Sequence, residues 1–278
     1  MKGSFRWDHP SSSAFDSEGR IQPLNCNKNE ISNRIITVGD PNRAMKVSAA
    51  FDKDFPVIVR NSPMLFTTYT GKKNGVLISV IATGMGFTMI ELLVVQARAL
   101  LEGPIYMIRF GTCGSLSPDV PIGCFAITNR SYGIRIDYEK EDFPYEFTNQ
   151  SIDLDSDFCQ HIYESFTEKM PQYRSVIGPV WSADTFYGSQ GRLDDNFINN
   201  NENIFKEIFA REPESLNFEM EAYVMAFLCN KYPEAQIKCG AVCITLAQRS
   251  IGSFLDNKTK ETMESAAADS LLSILEKI

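Results

Sequence analysis

The sequence predicts a single α/β domain in which helices flank a mixed or mostly parallel central sheet. Short β-branched and apolar runs alternate along the chain with longer runs that have the apolar spacing of helices. Glycine- and proline-containing turns separate these runs. The length of 278 residues is within the range of one α/β domain, and the 44% share of hydrophobic residues is enough for a large core.

The elements follow one another from residue 34 onward. Strands are predicted at residues 34–38, 76–83, 104–110, 124–128, 176–181 and 239–246, and helices at 42–51 (opened by Pro41), 87–102, 220–231 and 258–278. Residues 1–30 are rich in Ser, Asn, Pro and charge, and this composition predicts a flexible N-terminal arm. Residues 31–278 would then form the domain.

The composition excludes several classes of function. With 27 basic and 35 acidic residues the net charge is -8, which disfavours a nucleic-acid binder but permits a small anion held by a few arginines. The seven cysteines are scattered without a CxxC pair, which favours reduced thiols and a cytoplasmic location. With His9 and His161 as the only histidines, a zinc site is not expected. No signal peptide and no membrane-spanning run is visible.

Two motifs follow predicted strands, where α/β folds bind ligands. Residues 39–43 (GDPNR) combine a glycine, a helix N-terminus and Arg43, all of which suit an anion; the alternative is a plain strand–turn–helix joint. Residues 109–114 (RFGTCG) place Arg109 at the end of an apolar strand, before a glycine-rich turn. They predict guanidinium, hydroxyl and amide donors for one anion, or a structural salt bridge.

A third glycine motif, Thr83-Gly84-Met85-Gly86, matches only the start of a dinucleotide fingerprint. The last glycine of that fingerprint is absent, because position 89 is Met89. The motif therefore predicts either close backbone packing beside a ligand or a simple tight turn.

Three further segments carry polar groups that could contact a ligand. In residues 184–192, Gln190 and Arg192 could read a planar heterocycle, or lie in a polar surface loop. In residues 217–221, two carboxylates are predicted to open a helix. One of them could accept from vicinal sugar hydroxyls, or both could be ordinary first-turn acids. Gln248 and Arg249 follow the strand at 239–246. Arg249 could contact a ligand, or it could be a loop arginine in solvent.

Jointly, these motifs resemble the nucleoside phosphorylase family that includes the uridine phosphorylases. The resemblance runs from about residue 34 to the C-terminus. Its most specific part is DTFYGSQGRLD at 184–194, which resembles the uracil-recognition loop. FEMEA at 218–222 resembles the ribose-binding segment, and the motifs at 39–43 and 109–114 resemble the phosphate loop and the turn that contacts phosphate and ribose.

The resemblance implies a role for each matching residue and a reversible phosphorolysis of uridine to uracil and ribose 1-phosphate. It implies inorganic phosphate as co-substrate, no organic cofactor or metal, no nucleic-acid or membrane partner, and a homo-oligomer that is at least a dimer. The implied phosphate-binding residues are Gly39, Arg43, Arg109 and Thr112. The implied base-binding residues are Gly114, Phe186, Gln190, Arg192 and Arg249; the ribose-binding residues are Thr112, Met220 and Glu221. Those expected to carry catalysis are Arg109, Glu221, Gln190 and Arg192.

Two departures from the family pattern leave other functions open. Met64 stands where the family supplies a third phosphate arginine from the neighbouring subunit, and Arg60 is the candidate substitute. Residues 22–25 (QPLN) hold no histidine where the family places one near the ribose 5′ hydroxyl. The alternatives are a phosphorylase for another nucleoside (a purine nucleoside, deoxyuridine or thymidine) and a non-catalytic nucleoside-binding member of the family.

Overall fold

A computed structural model describes residues 14–278 of the chain. Its strands are β1 (Ala14–Phe15), β2 (Ile21–Gln22), β3 (Arg34–Val38), β4 (Ile58–Asn61), β5 (Thr67–Lys73), β6 (Val76–Ala82), β7 (Ile105–Ser115), β8 (Phe125–Ile136), β9 (Tyr145–Phe147), β10 (Ile152–Asp153), β11 (Ser175–Ala183), β12 (Asn217–Glu219), β13 (Ile237–Gln248) and β14 (Ser253–Phe254). Its α-helices are α1 (Pro41–Ser48), α2 (Phe87–Leu100), α3 (Ser156–Lys169), α4 (Ile204–Arg211), α5 (Ala222–Lys231) and α6 (Asn257–Glu276).

The strands from β3 to β14 form one mixed sheet, part of which closes on itself. Strand β7 pairs in parallel with β13, β13 pairs antiparallel with β8, β8 and β11 are parallel, and β12 returns antiparallel to β7. Five strands therefore form a closed ring, and β3, β6, β5 and β4 extend the sheet outward from β7. The predicted α/β domain with a mixed sheet flanked by helices is confirmed.

The central strands have the side chains that a sheet covered on both faces requires. Strand β3 buries Ile35, Ile36 and Val38 completely, and its apolar run is typical of a parallel strand under helices. Helix α6 packs against α1 and α3 and completes the core. None of the helices in residues 14–278 is both long and apolar enough to cross a membrane.

Several predicted boundaries differ from the observed ones. Strand β7 continues through the predicted glycine turn to Ser115, so Arg109 lies in mid-strand and not at a strand end. The helix predicted from residue 220 begins at Ala222, and residues 217–219 form β12. Helices α3 and α4 and the hairpin β4–β5 were not predicted, although both helices bury apolar residues at helical spacing, Phe158 and Ile162 in α3 and Ile204 and Ile208 in α4.

The described part of the expected N-terminal arm packs against the body of the protein. Ile21, Leu24 and Cys26 are fully buried, and the Leu24 backbone N–H donates to the side-chain oxygen of Gln96 at 2.9 Å. The structure therefore differs from the expected flexible arm over residues 21–30. Residues 1–13 lie outside the described part of the chain.

Candidate active site

A cationic corner forms where strand β3 meets helix α1. Gly39 follows β3, and Asp40 caps α1 by accepting a hydrogen bond from the Arg43 backbone N–H at 2.8 Å. A Cβ atom on Gly39 would lie 3.5 Å from Nη2 of Arg109 and 3.7 Å from Nη1 of Arg43. Two buried guanidiniums therefore converge on a backbone without a side chain, an arrangement suited to a small oxyanion.

Arg109 connects this corner to the middle of the site. Its Nη2 lies 3.2 Å from Oε2 of Glu221, and its Nη1 donates to the hydroxyl of Thr83 at 3.3 Å. Its buried Nε has no hydrogen-bond partner within the described residues. Because an unpaired buried donor is costly, this N–H is available to a ligand.

Glu221 immediately precedes α5, in the middle of the site. Its Oε1 accepts from the backbone N–H of Gly86 at 2.7 Å, and its Oε2 faces Arg109. The turn at residues 83–86 therefore packs closely beside the site, and Met85 lines the cavity described below. This geometry favours the interpretation of the turn as close backbone packing.

Glu219 supports this carboxylate from the end of β12. Its Oε2 accepts from the backbone N–H groups of Glu221 and Ala222 at 2.8 Å each, and its Oε1 accepts from the hydroxyl of Ser182. The expectation that both carboxylates open a helix is wrong, since β12 ends at Glu219. Burial, and next the charge of Glu221, raise the pKa of Glu219 to about 7.

A short 3₁₀ turn, Gly188–Gln190, carries the base-binding candidates. The side chain of Gln190 is buried, and its amide donates to the Thr185 carbonyl at 3.4 Å. The guanidinium of Arg192 stacks over the ring of Phe186, 4.0 Å from its centroid. Desolvation lowers the pKa of Arg192, and its Nε is unpaired among the described residues.

Arg249 lies behind Gly114, next to the turn that carries the base-binding candidates. Its Nη2 donates to the backbone carbonyl of Gln190, so the expected alternative of a loop arginine in solvent is wrong. A Cβ on Gly114 would lie 2.9 Å from Cδ of Arg249, so this close approach requires glycine. Burial, and next the nearby Arg192, lower the pKa of Arg249 to about 10, which leaves it charged at neutral pH.

One cavity of about 330 Å³ contains most of these groups. The sequence-predicted residues that line it are Thr112, Gly114, Phe186, Gln190, Arg192, Met220 and Glu221. Arg109 adjoins the cavity through its ion pair with Glu221, and Arg249 adjoins it through its hydrogen bond to the Gln190 carbonyl. Gly39 and Arg43 lie beside Arg109. The structure thus brings together all of the predicted site residues.

Several of the lining residues had no role of their own in the prediction from the sequence. Phe218, Leu246, Ala247 and Phe254 supply much of the apolar wall. Leu246 and Ala247 lie at the carboxyl end of β13, so the rule that ligands bind there would have found them. Phe254 comes from the two-residue strand β14, which no sequence pattern distinguishes.

Comparison with known proteins assigns the family. The family model described as the phosphorylase superfamily matches residues 33–278. The chain belongs to the phosphorylase superfamily.

Several superfamily members resemble it over most or part of its length. It is 28% identical to a uridine phosphorylase of Thermococcus kodakarensis over 242 residues, which cover 85% of this chain and 80% of that protein. It is 33% identical to a DeoD-type purine nucleoside phosphorylase of Streptococcus gordonii over 166 residues, 58% of this chain and 64% of that protein. A solved structure from a study of two diverse uridine phosphorylases of the oomycete Phytophthora capsici has a TM-score of 0.89 and 27% identity, covering 95% of this chain and 96% of that one.

The two departures from the family pattern lie at distinct places in this phosphorylase-superfamily chain. Met64 is 60% exposed in the loop between β4 and β5. The guanidinium of Arg60 on β4 pairs with Glu30 at 2.5 Å, and Arg60 does not line the cavity. Within residues 22–25, Leu24 is buried in the core.

Proposed function

We propose that this chain is a uridine phosphorylase, which reversibly converts uridine and inorganic phosphate to uracil and ribose 1-phosphate in pyrimidine nucleoside salvage. The observation that carries the proposal is the continuity of one site. The cationic corner at Gly39, the carboxylate of Glu221 and the amide of Gln190 follow one another, in the order that phosphate, sugar and base require. Similarity to uridine phosphorylases over most of the chain supports the same reaction.

At the phosphate and ribose ends of the site, the side chains act by positioning the substrates and by their charge. Arg43, Arg109, the backbone at Gly39 and Thr112 hold phosphate, while Glu221 accepts from the 2′ and 3′ hydroxyls of ribose beside Met220. As the glycosidic bond stretches, the sugar becomes an oxocarbenium-like cation. The phosphate anion stabilises this cation and forms the new C1′–O bond.

At the base end, uracil leaves with the electron pair of the broken bond. Gln190 accepts from the uracil N–H and donates to a carbonyl, and Arg192 donates to a carbonyl on which negative charge grows. Phe186 and Gly114 line the pocket around the ring. The uracil anion takes up one proton on release, which balances the proton that hydrogen phosphate loses when its oxygen bonds to C1′. Phosphate is the nucleophile, so no nucleophilic side chain takes part.

The proposal extends to cofactors, assembly and location. The reaction uses inorganic phosphate as its co-substrate and needs no organic cofactor or metal. We also propose a homodimer in the cytoplasm, where the seven free cysteines remain reduced. With Met64 in place of an arginine, we expect a weaker affinity for phosphate than in members with the full arginine set.

Arg249 decides between uridine and purine nucleosides, which partial similarity to purine nucleoside phosphorylases raises as an alternative. The resemblance to the family implies an aspartate at this position in purine-specific members, where it could protonate a purine nitrogen. A guanidinium with a pKa of about 10 stays charged at neutral pH and is a poor proton donor. Arg249 therefore favours a pyrimidine.

Base release from uridine, thymidine and inosine, each with and without phosphate, tests the proposal. We expect release to require phosphate and to be fastest with uridine. Preference for inosine, or release without phosphate, would contradict the proposal. Binding of uridine without any turnover would identify a non-catalytic nucleoside-binding protein instead.

A further inference from the structure

A buried carboxylate on the C-terminal helix contacts the candidate phosphate arginine from behind. Glu264 on α6 is 2% exposed, and its Oε1 accepts from Nε of Arg43 at 2.9 Å. Its Oε2 accepts from Nζ of Lys46 at 2.8 Å, and Nζ of Lys260 lies 3.7 Å from Oε1. Burial opposes ionisation, but the hydrogen bonds from Lys46 and Arg43 outweigh it and lower the pKa of Glu264.

This contact determines which edge of the guanidinium faces the site. With Nε held by Glu264, Nη1 of Arg43 lies 3.7 Å from the Cβ position of Gly39, beside the cationic corner. Nη1 makes only a long contact of 3.5 Å with the carbonyl of Phe110. Its donors therefore remain available to an anion.

A second carboxylate competes for the same guanidinium on the solvent side. Oδ2 of Asp40 lies 3.3 Å from Nη2 of Arg43, and the Asp40 side chain is 43% exposed. Without Glu264, a two-point pairing with Asp40 would turn the donors of Arg43 toward solvent. In the structure the guanidinium contacts both carboxylates at once, and the buried carboxylate of Glu264 holds it in the orientation that faces Gly39.

We propose that Glu264 is a positioning residue that fixes Arg43 in its phosphate-binding orientation, so that helix α6 sets the affinity for phosphate. This inference rests on the proposed function for the identity of the anion. Glu264 itself does not touch substrate, because it lies behind Arg43. It was not a candidate from the sequence, since a glutamate within a C-terminal helix looks like an ordinary surface residue.

The test compares Glu264→Gln with Glu261→Gln, a change of the same chemistry one turn earlier on α6. Glu261 is 65% exposed and lies 3.8 Å from Lys46, so its replacement leaves Arg43 untouched. Calorimetry with inorganic phosphate should show about tenfold weaker binding to Glu264→Gln and unchanged binding to Glu261→Gln. In steady-state assays the KM for phosphate should rise, with kcat and the KM for uridine little changed.

If Glu264 had only a general structural role, its replacement would weaken phosphate binding and uracil binding together. Equal losses of phosphate and uracil binding in Glu264→Gln would therefore overturn the proposal. Unchanged phosphate affinity in that variant would also overturn it. If Glu264→Gln does not fold, Glu264→Asp keeps the charge but retracts it by one methylene, and should weaken phosphate binding selectively. Equal phosphate affinity of Glu264→Asp and the wild type would then contradict the proposal.

The wild-type controls separate this inference from the proposed function. A wild-type protein that binds phosphate but does not cleave uridine refutes the function, while the calorimetric comparison still tests Glu264. A wild-type protein that cleaves uridine, with Glu264→Gln unchanged for phosphate, refutes only the positioning role. Absence of phosphate binding to the wild type would contradict both.

Discussion

Replacing Arg109 with methionine tests whether one guanidinium serves both stability and phosphate binding. Methionine keeps much of the apolar volume and removes the charge. The side chains of Arg109 and Glu221 are 3% and 6% exposed, and their N–O distance is 3.2 Å. After the change, Glu221 keeps its hydrogen bond from the Gly86 backbone N–H but has no counter-charge in contact.

The expected loss follows from this burial. Removing one partner of a buried ion pair costs about 3–5 kcal/mol, because the remaining charge stays desolvated and unpaired. The free energy of unfolding from urea titration should fall by about this amount in Arg109→Met. A second change, Glu221→Gln, should recover most of the loss, because the double variant has no unpaired charge at this place.

Phosphate separates the two roles in the same titration. At about 100 times its dissociation constant, phosphate should stabilise the wild type by about 2.7 kcal/mol and should stabilise Arg109→Met far less. Equal stabilisation of both proteins would show that Arg109 does not bind phosphate. A loss of stability below about 1 kcal/mol would show that the pair with Glu221 is not energetically coupled.

Four further outcomes are expected. Gln190→Leu should weaken uracil binding, measured by calorimetry, by about 1–3 kcal/mol for each group left unpaired, with phosphate binding and Tm unchanged; retained uracil affinity would remove the main support for a pyrimidine. Gly114→Ala should raise the KM for uridine but not for phosphate in steady-state assays, because its Cβ would lie 2.9 Å from Arg249 Cδ. Arg60→Ala should leave phosphate affinity unchanged in calorimetry, since Arg60 lies on β4 and does not line the cavity, and a loss would identify it as the substitute arginine. The pKa of Glu219 is raised from 4.5 to about 7, so the stability that its protonated form contributes is present at low pH and is lost as pH rises through this window. Glu219→Gln should abolish this dependence of the free energy of unfolding on pH, measured by urea titration.

The fold was predictable from the sequence where one element has one dominant pattern. The apolar run of β3 and the glycine that follows it predicted both a buried strand and its end at Val38. Helix α2 was likewise visible from its apolar spacing. The ring of β7, β13, β8, β11 and β12 was not predictable, because pairings between strands far apart in the chain leave no local signal.

The same limit applies to the site. Gly39 and Arg43 follow β3, and Arg249 follows β13, so their residue types and positions indicated a ligand site, whereas Arg109 was recognised as an arginine in an apolar strand. The support around them is non-local: Glu264 reaches Arg43 across 221 positions, and Gly86 reaches Glu221 across 135. Such contacts depend on how helices and strands pack, and a single sequence does not encode them as spacing.

Arg109 shows why the sequence left two interpretations open. A buried arginine in an apolar strand indicated either a structural salt bridge or an anion site, and the structure contains the elements of both. Its Nη2 pairs with Glu221, while its Nε has no partner among residues 14–278 and Nη2 also lies beside Gly39. A guanidinium has five donors, so one ion pair does not exhaust it. The salt bridge fixes one edge of the guanidinium, which would leave the remaining donors directed at the proposed phosphate, so the structural role is compatible with the proposed binding role.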